Sequence, residues 1–204
     1  MPDRPELRDE ELLRRMRAGD DEAFRSFYLR HQRPIYRFAL HMTGRPEAAE
    51  EAVQEAFMTL IREAAKFDPA RGTPQAFLFG IARNHVRRVV ESNSRFVPLA
   101  DDGDLQVRAG QASLSYGLGE SLSDDLARAE IIELVRRAIL ALPEHYREAV
   151  SLCDLEGLDY AAAASALNCP IGTVRSRLAR GREMLVVKLR PAAMKKPSRA
   201  AGGR

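Results

Sequence analysis

Between Ile171 and Arg190 the chain carries six basic side chains against one acidic one, Glu183. On a helix turning 100° per residue, Val174, Leu178, Gly181 and Leu185 make a narrow stripe there, and Gly172, Ser176, Ala179, Arg180 and Glu183 lie opposite, with Arg175 at the edge of that outer face. Small residues at Gly172, Ser176 and Ala179 let the helix approach a groove closely. Arg175 and Arg180 can each donate two hydrogen bonds to a guanine or pair with phosphates. One arginine on a surface helix is ordinary solvation, but this many on a helix that follows a tight turn point to DNA.

Two further constellations lie in the first half. In FDPARGTPQAFLFGIARNHVRR a helix puts Phe79, Arg83 and Arg87 on one face, and an aromatic ring beside guanidinium groups suits single-stranded nucleic acid: a base stacks while the arginines hold phosphates. Phe77 and Ile81 fall on the other face and are expected in the core. Upstream, a helix over Glu47 to Lys66 separates Val53, Phe57, Leu60, Ile61 and Ala64 from Glu51, Gln54, Glu55, Met58 and Arg62. Glu51 and Glu55 are like charges one turn apart, a pairing that costs roughly a few tenths of a kcal/mol on an isolated helix. A basic or polar partner would relieve it, and a solvated acidic face accounts for it equally well.

No residue pattern supports catalysis. His31, His41, His85 and His145 are scattered, and HExxH, paired-carboxylate metal and P-loop spacings are absent, so no catalytic, cofactor or metal site is expected. Cys153 and Cys169 form no CxxC pair and read as small buried thiols.

The elements that must position these groups are helical. Apolar positions recur at three and four on both sides of residues 96–125, a stretch with four glycines and many Ser and Asp residues that reads as a linker. The fold class expected is all-α: a helical bundle over 1–95, an acidic flexible linker over 96–125, a helix-turn-helix domain over 126–190 and a frayed basic tail over 191–204. Helices are expected near Asp9 to Gly19, Asp21 to Thr43 with Pro34 as a break or kink, Glu47 to Lys66, and Pro74 to Glu91 with Thr73 as N-cap. Beyond the linker they run from Leu126 to Ala141, from Pro143 to Glu156, from Tyr160 to Leu167, and onward from Pro170. Asp159 caps the third of these, and Asn168 and Cys169 make the turn. The formal net charge of +3 divides unevenly. Residues 1–90 carry 16 basic and 14 acidic groups, 91–125 carry 2 and 7, and 126–204 carry 14 and 8. The basic end argues for a polyanion and the acidic middle for a different surface. No apolar run approaches a bilayer span, and the charged first residues read as cytoplasmic, without membrane insertion.

The run LPEHYREAVSLCDLEGLDYAAAASALNCPIGTVRSRLARGREML, above all PIGTVRSRLARGRE, resembles the fourth conserved region of bacterial sigma factors of the extracytoplasmic-function (ECF) group. AEEAVQEAFMTLIR and the FDPARGTPQAFLFGIARNHVRR stretch resemble their second region, and the two matches follow in the family's order. The resemblance implies a promoter-specificity subunit of RNA polymerase without catalysis of its own. Its last helix would enter the major groove of the upstream promoter element, with Arg175, Ser176 and Arg180 reading bases or backbone and Thr173, Arg177 and Arg182 supporting phosphate contacts. Glu51, Gln54, Glu55 and Met58 would dock on core polymerase. Phe79, Arg83, Asn84, Arg87 and Arg88 would line the path of the downstream element, where a base is unstacked and trapped. The acidic linker would thread toward the polymerase active-site channel, and an anti-sigma factor would be a partner. Ala162 and Ala163 depart from the family, which usually carries acidic or mixed residues there. A helix-turn-helix regulator without polymerase and a DNA-processing enzyme are the competing readings; retention of core polymerase in a pull-down separates the first from both.

Overall fold

The computed structural model describes residues 7–95 and 122–193. Among them are eight α-helices and no strand. The first four are α1 (Asp9–Arg17), α2 (Asp21–Thr43), α3 (Pro46–Glu63) and α4 (Pro74–Arg95), with 3₁₀ turns at Ala64–Lys66 and Pro69–Arg71 between the last two. Local chemistry explains their limits. Asp20 caps α2 by accepting from the Ala23 amide at 3.0 Å, and Gly44 ends it in the left-handed region at φ 69°. Thr73 caps α4 in the same way, its hydroxyl accepting from the Ala76 amide at 3.1 Å, with Pro74 at the first helical position. Pro34 sits inside an uninterrupted α2.

Four helices follow: α5 (Leu122–Leu140), α6 (Glu144–Val150), α7 (Tyr160–Leu167) and α8 (Ile171–Ala193). The α5 helix starts four residues before the expected Leu126, and the linker expected over 96–125 falls mostly outside the described residues, as does the basic tail. The helix opened by Pro143 does run on past Val150, but as a π-type turn over Ser151–Leu155, widened by one residue per turn. Gly157, at φ 73°, then redirects the chain. Asp159 caps α7 through the Ala162 amide at 2.7 Å, and Asn168 at φ 49° makes the turn into α8.

The two helical halves expected from the sequence are packed together: the hydrophobic interior runs without a break from Phe27, Phe38 and Phe79 in the first half to Leu152, Leu158, Ala163 and Val174 in the second. The alanine run of α7 explains this. Ala163, Ala164 and Ala166 are buried, and a Cβ on Gly80 of α4 would stand 3.4 Å from the Ala166 carbonyl. With no long side chains between them, the two helices pack backbone against backbone. Leu142, Ala149, Val150 and Leu178 form a smaller core under α8.

Candidate nucleic-acid interface

The α8 helix is set by its buried stripe. Val174, Leu178 and Gly181 face inward, and a Cβ at Gly181 would meet the Val150 side chain at 2.7 Å, so only glycine lets α8 lie this close to α6. The opposite face, with Gly172, Arg175, Ser176, Ala179 and Arg180, is exposed along its length. The arginines on it are not equivalent. The Arg175 guanidinium lies over the Tyr160 ring, 5.7 Å from its centroid, and Arg180 donates to Glu183 at 3.0 Å. Arg182 is bound twice to Asp154 of the π-type turn, at 3.0 and 2.6 Å, which keeps it more firmly protonated and ties α8 to the preceding segment. Ser176 turns its hydroxyl back to the Thr173 carbonyl at 3.0 Å, and Thr173 and Arg177 are half-buried.

On α4 the structure redistributes the expected roles. Phe79 is fully buried and stacks edge-on against Phe38, with centroids 5.6 Å apart, so it belongs to the core and is not available to a base. The groove-facing aromatic is Phe77, which the sequence placed in the core. It is half-buried, 5.7 Å from the Phe67 ring, and both line a cleft of about 500 Å³ with Arg71, Thr73, Ile81 and Asn84. The far wall of that cleft is the end of α7, where Ser165 donates to the Arg71 carbonyl at 2.6 Å. Asn84 and Arg88 are exposed on the same helix, and Arg88 donates to the Asn84 carbonyl at 3.2 Å.

Arg83 and Arg87 do share a face and both line the same cleft, and α6 supplies each with a carboxylate, closely over the part-buried Arg83 and loosely over the exposed Arg87. Arg83 is bonded through two nitrogens to the Glu148 carboxylate, with side-chain exposures of 13% and 2%, and Arg87 pairs with Glu144 at 3.1 Å. Both glutamates belong to α6, one turn apart. The joint continues along α2. Arg37 pairs with Glu156, whose buried carboxyl is pushed up by desolvation and only partly drawn back by Arg37. Arg147 donates to the Met42 carbonyl at 2.7 Å and the Leu142 carbonyl at 2.9 Å. Sequence reading missed the two α6 glutamates, although the like-charge spacing that flagged Glu51 and Glu55 marks them too.

The acidic face of α3 is open. Glu51, Gln54 and Met58 are exposed, Met58 by 48% and its neighbour Ile61 by 53%. The relief that sequence did not find for Glu55 is Arg62, 3.9 Å away, and Glu51 has His85 at 3.8 Å. At the other end of the bundle, Asp9 holds His31 at 2.7 Å and also bonds Arg30; burial alone would raise its carboxyl, but these partners outweigh it and hold it below the usual range. Among the described residues no cluster of His, Cys, Asp or Glu could hold a metal, and no helix is long and apolar enough to cross a membrane.

Comparison with known proteins bears on both faces. Residues 27–96 match the family model for sigma-70 region 2, and residues 132–185 match sigma-70 region 4. The chain is 30% identical over 198 residues to the ECF RNA polymerase sigma-E factor of Haemophilus influenzae, covering 91% of this chain and 97% of that protein. It is 32% identical to the RNA polymerase sigma-H factor of Pseudomonas aeruginosa, with 90% and 94% covered. Among solved structures it resembles CnrH in complex with the cytosolic domain of CnrY, at TM-score 0.66, 22% identity and coverage of 90% and 97%. It also resembles RpoE bound to the anti-sigma factor NepR from Bartonella quintana, at TM-score 0.59, 24% identity and coverage of 82% and 96%. At these identities the structures speak for the fold.

Proposed function

From the premise that this chain belongs to the sigma-70 family, in its ECF group, and is an RNA polymerase sigma factor that directs transcription initiation from promoters, we propose a division of labour among its faces. The exposed face of α8 reads the upstream element as duplex. Arg175 is the principal base reader and Arg180, Ser176, Thr173 and Arg177 act around it; Arg182 braces α8 through Asp154. The α4 face and the Phe67–Phe77 cleft hold the opened downstream element, with Asn84, Arg87 and Arg88 accessible, Arg83 available once Glu148 releases it, and Phe77 in the stacking role expected of Phe79. Glu51, Gln54, Glu55 and Met58 on α3 dock on core polymerase.

The observation that carries this reading is α8 itself: a buried apolar stripe seats it within region 4, and its exposed opposite side is small and basic. Such a surface approaches a major groove without steric cost and meets phosphate charge with charge. The protein acts by binding, not as an enzyme, and works in the cytoplasm where polymerase is. An anti-sigma factor is a proposed partner, because the solved structures it resembles are complexes, CnrH with the cytosolic domain of CnrY and RpoE with the anti-sigma factor NepR. Transcription of genomic DNA by core polymerase with this protein, followed by mapping of start sites, tests the function. Start sites sharing an upstream and a downstream motif are expected, and start sites unchanged from core enzyme alone would overturn it.

A further inference from the structure

The loop that carries Phe67 has little of its own to hold it. Between α3 and α4 the chain makes only two three-residue 3₁₀ turns, Ala64–Lys66 and Pro69–Arg71, and the Phe67 amide reaches the Ala64 carbonyl at a long 3.3 Å. Short turns of this kind open and close readily. What fixes the first of them comes from outside the loop, from Arg17 in the last turn of α1. Its guanidinium donates to the Ala64 carbonyl at 2.7 Å through Nε and to the Phe67 carbonyl at 3.0 Å through Nη2, and it lies over the Phe67 ring, 5.9 Å from the centroid. The planar fork of arginine spans both carbonyls and still offers its face to a ring, which a lysine ammonium cannot do. The anchor itself is firm, because Leu12 and Leu13, a turn earlier on α1, are buried in the core.

We propose that Arg17 is a positioning residue for capture of the downstream strand: by gripping the Ala64 and Phe67 carbonyls and covering the Phe67 ring, it holds that ring beside Phe77, so that the stacking wall exists before a base arrives. This rests on the reading of the Phe67–Phe77 cleft given above. The two rings are 5.7 Å apart and tilted by 56°, so they meet as adjoining walls, and a base entering there meets both. A ring left free to swing would have to be ordered at the moment of binding, and that cost is subtracted from the affinity. Arg17 itself stands outside the cleft and does not line it. Its helix also precedes residues 27–96, which carry the region 2 match, so its part in the site follows from these contacts alone.

The test uses holoenzyme, assembled from core polymerase and the full chain, and a labelled single strand bearing the mapped downstream motif. Arg17→Ala should weaken strand binding about fivefold while a duplex of the upstream motif is bound within about twofold of the parent; unchanged strand affinity overturns the proposal. A double-mutant cycle separates positioning from other roles. In a Phe67→Ala background the ring that Arg17 holds is gone, so Arg17→Ala should cost nothing further, whereas a second full loss overturns the proposal. A direct phosphate contact by Arg17 would show as a slope of log affinity against log salt reduced by about 0.7 in the alanine variant; the parent's slope is expected, and the reduced slope overturns the proposal. Arg17→Lys keeps the charge but not the fork. It should still bind the strand about threefold more weakly than the parent, and parental affinity overturns the proposal, a result that stands whether or not the alanine variant folds. Phe77→Ala separates the two levels. If it leaves strand binding and promoter opening as in the parent, the reading of the cleft falls, and the proposal with it. If it weakens both while Arg17→Ala changes neither, only the proposal falls.

Discussion

Phe77 and Phe79 stand two residues apart on α4 and have different environments. Phe79→Ala removes a ring with no exposure from the contact with Phe38 and should cost about 3–5 kcal/mol, seen as a large drop in the denaturant midpoint. Phe77→Ala should lower that midpoint much less, its ring being only half-buried, while weakening single-strand capture by about 1–3 kcal/mol if a base stacks there. The helical wheel separated the two residues correctly but could not say which side faces the core, because that depends on where α2 and α7 pack. The arginines of α8 follow similar logic. Arg175→Ala should cost about 1–3 kcal/mol on the cognate upstream element and less on an element changed at the base it reads, measured by duplex titration. Arg182→Ala should instead lower stability slightly, about 0–1 kcal/mol for an exposed pair, with little change in sequence preference. Sequence grouped these arginines; Tyr160 and Asp154, remote in the chain, distinguish them.

At the scale of elements, the bounds of the helices were legible wherever a cap or breaker marks them. Asp20, Gly44, Thr73 with Pro74, Asp159 and Asn168 act locally, and what acts locally can be read locally. The π-type turn at Ser151–Leu155 has no such signal, since it serves contacts with α2 and α8 that lie far away in sequence. Gly181 was readable as part of the buried stripe but not as the residue that sets how near α8 lies to α6. Gly181→Ala should force α8 outward against Val150 and cost about 1–3 kcal/mol in thermal unfolding, more than the helix propensity of alanine returns. The α3 helix offers the converse case. Glu55→Lys with Gln54→Ala alters only partly or fully exposed side chains, so co-elution with core polymerase should be lost without a shift in melting temperature.

For the whole molecule the consequential feature is that two halves, recognisable separately in sequence, share one interior. Alanines in α7 look neutral in a sequence, and their use as a packing surface becomes visible only once Gly80 lies opposite. His41, at the joint of α2 and α5, is pushed down to about 4 by burial, with Arg136 and Arg37 adding repulsion. The unfolded chain therefore takes up a proton near pH 6.5 that the folded joint refuses. Stability contributed by neutral His41 is full above pH 6.5 and is lost as pH falls toward 4, by about 3 kcal/mol in all. His41→Gln should flatten this stretch of the stability profile, measured by denaturant unfolding from pH 7 to pH 4; a slope equal to that of the parent chain would show that the joint does not exclude the proton.

The order of the elements along the chain also has a consequence in time. The bundle that carries Arg83 and Arg87 is complete once α4 has been made, whereas the glutamates that cover it lie roughly 50 residues further on. At a synthesis rate of about 5–20 residues per second, that leaves an interval of ~3–10 s in which the newborn N-terminal half bears an uncovered cationic face beside the ribosome, itself a dense polyanion. Each molecule thus passes once, while still being translated, through a state in which Arg83 lacks the carboxylate that covers it in the finished fold.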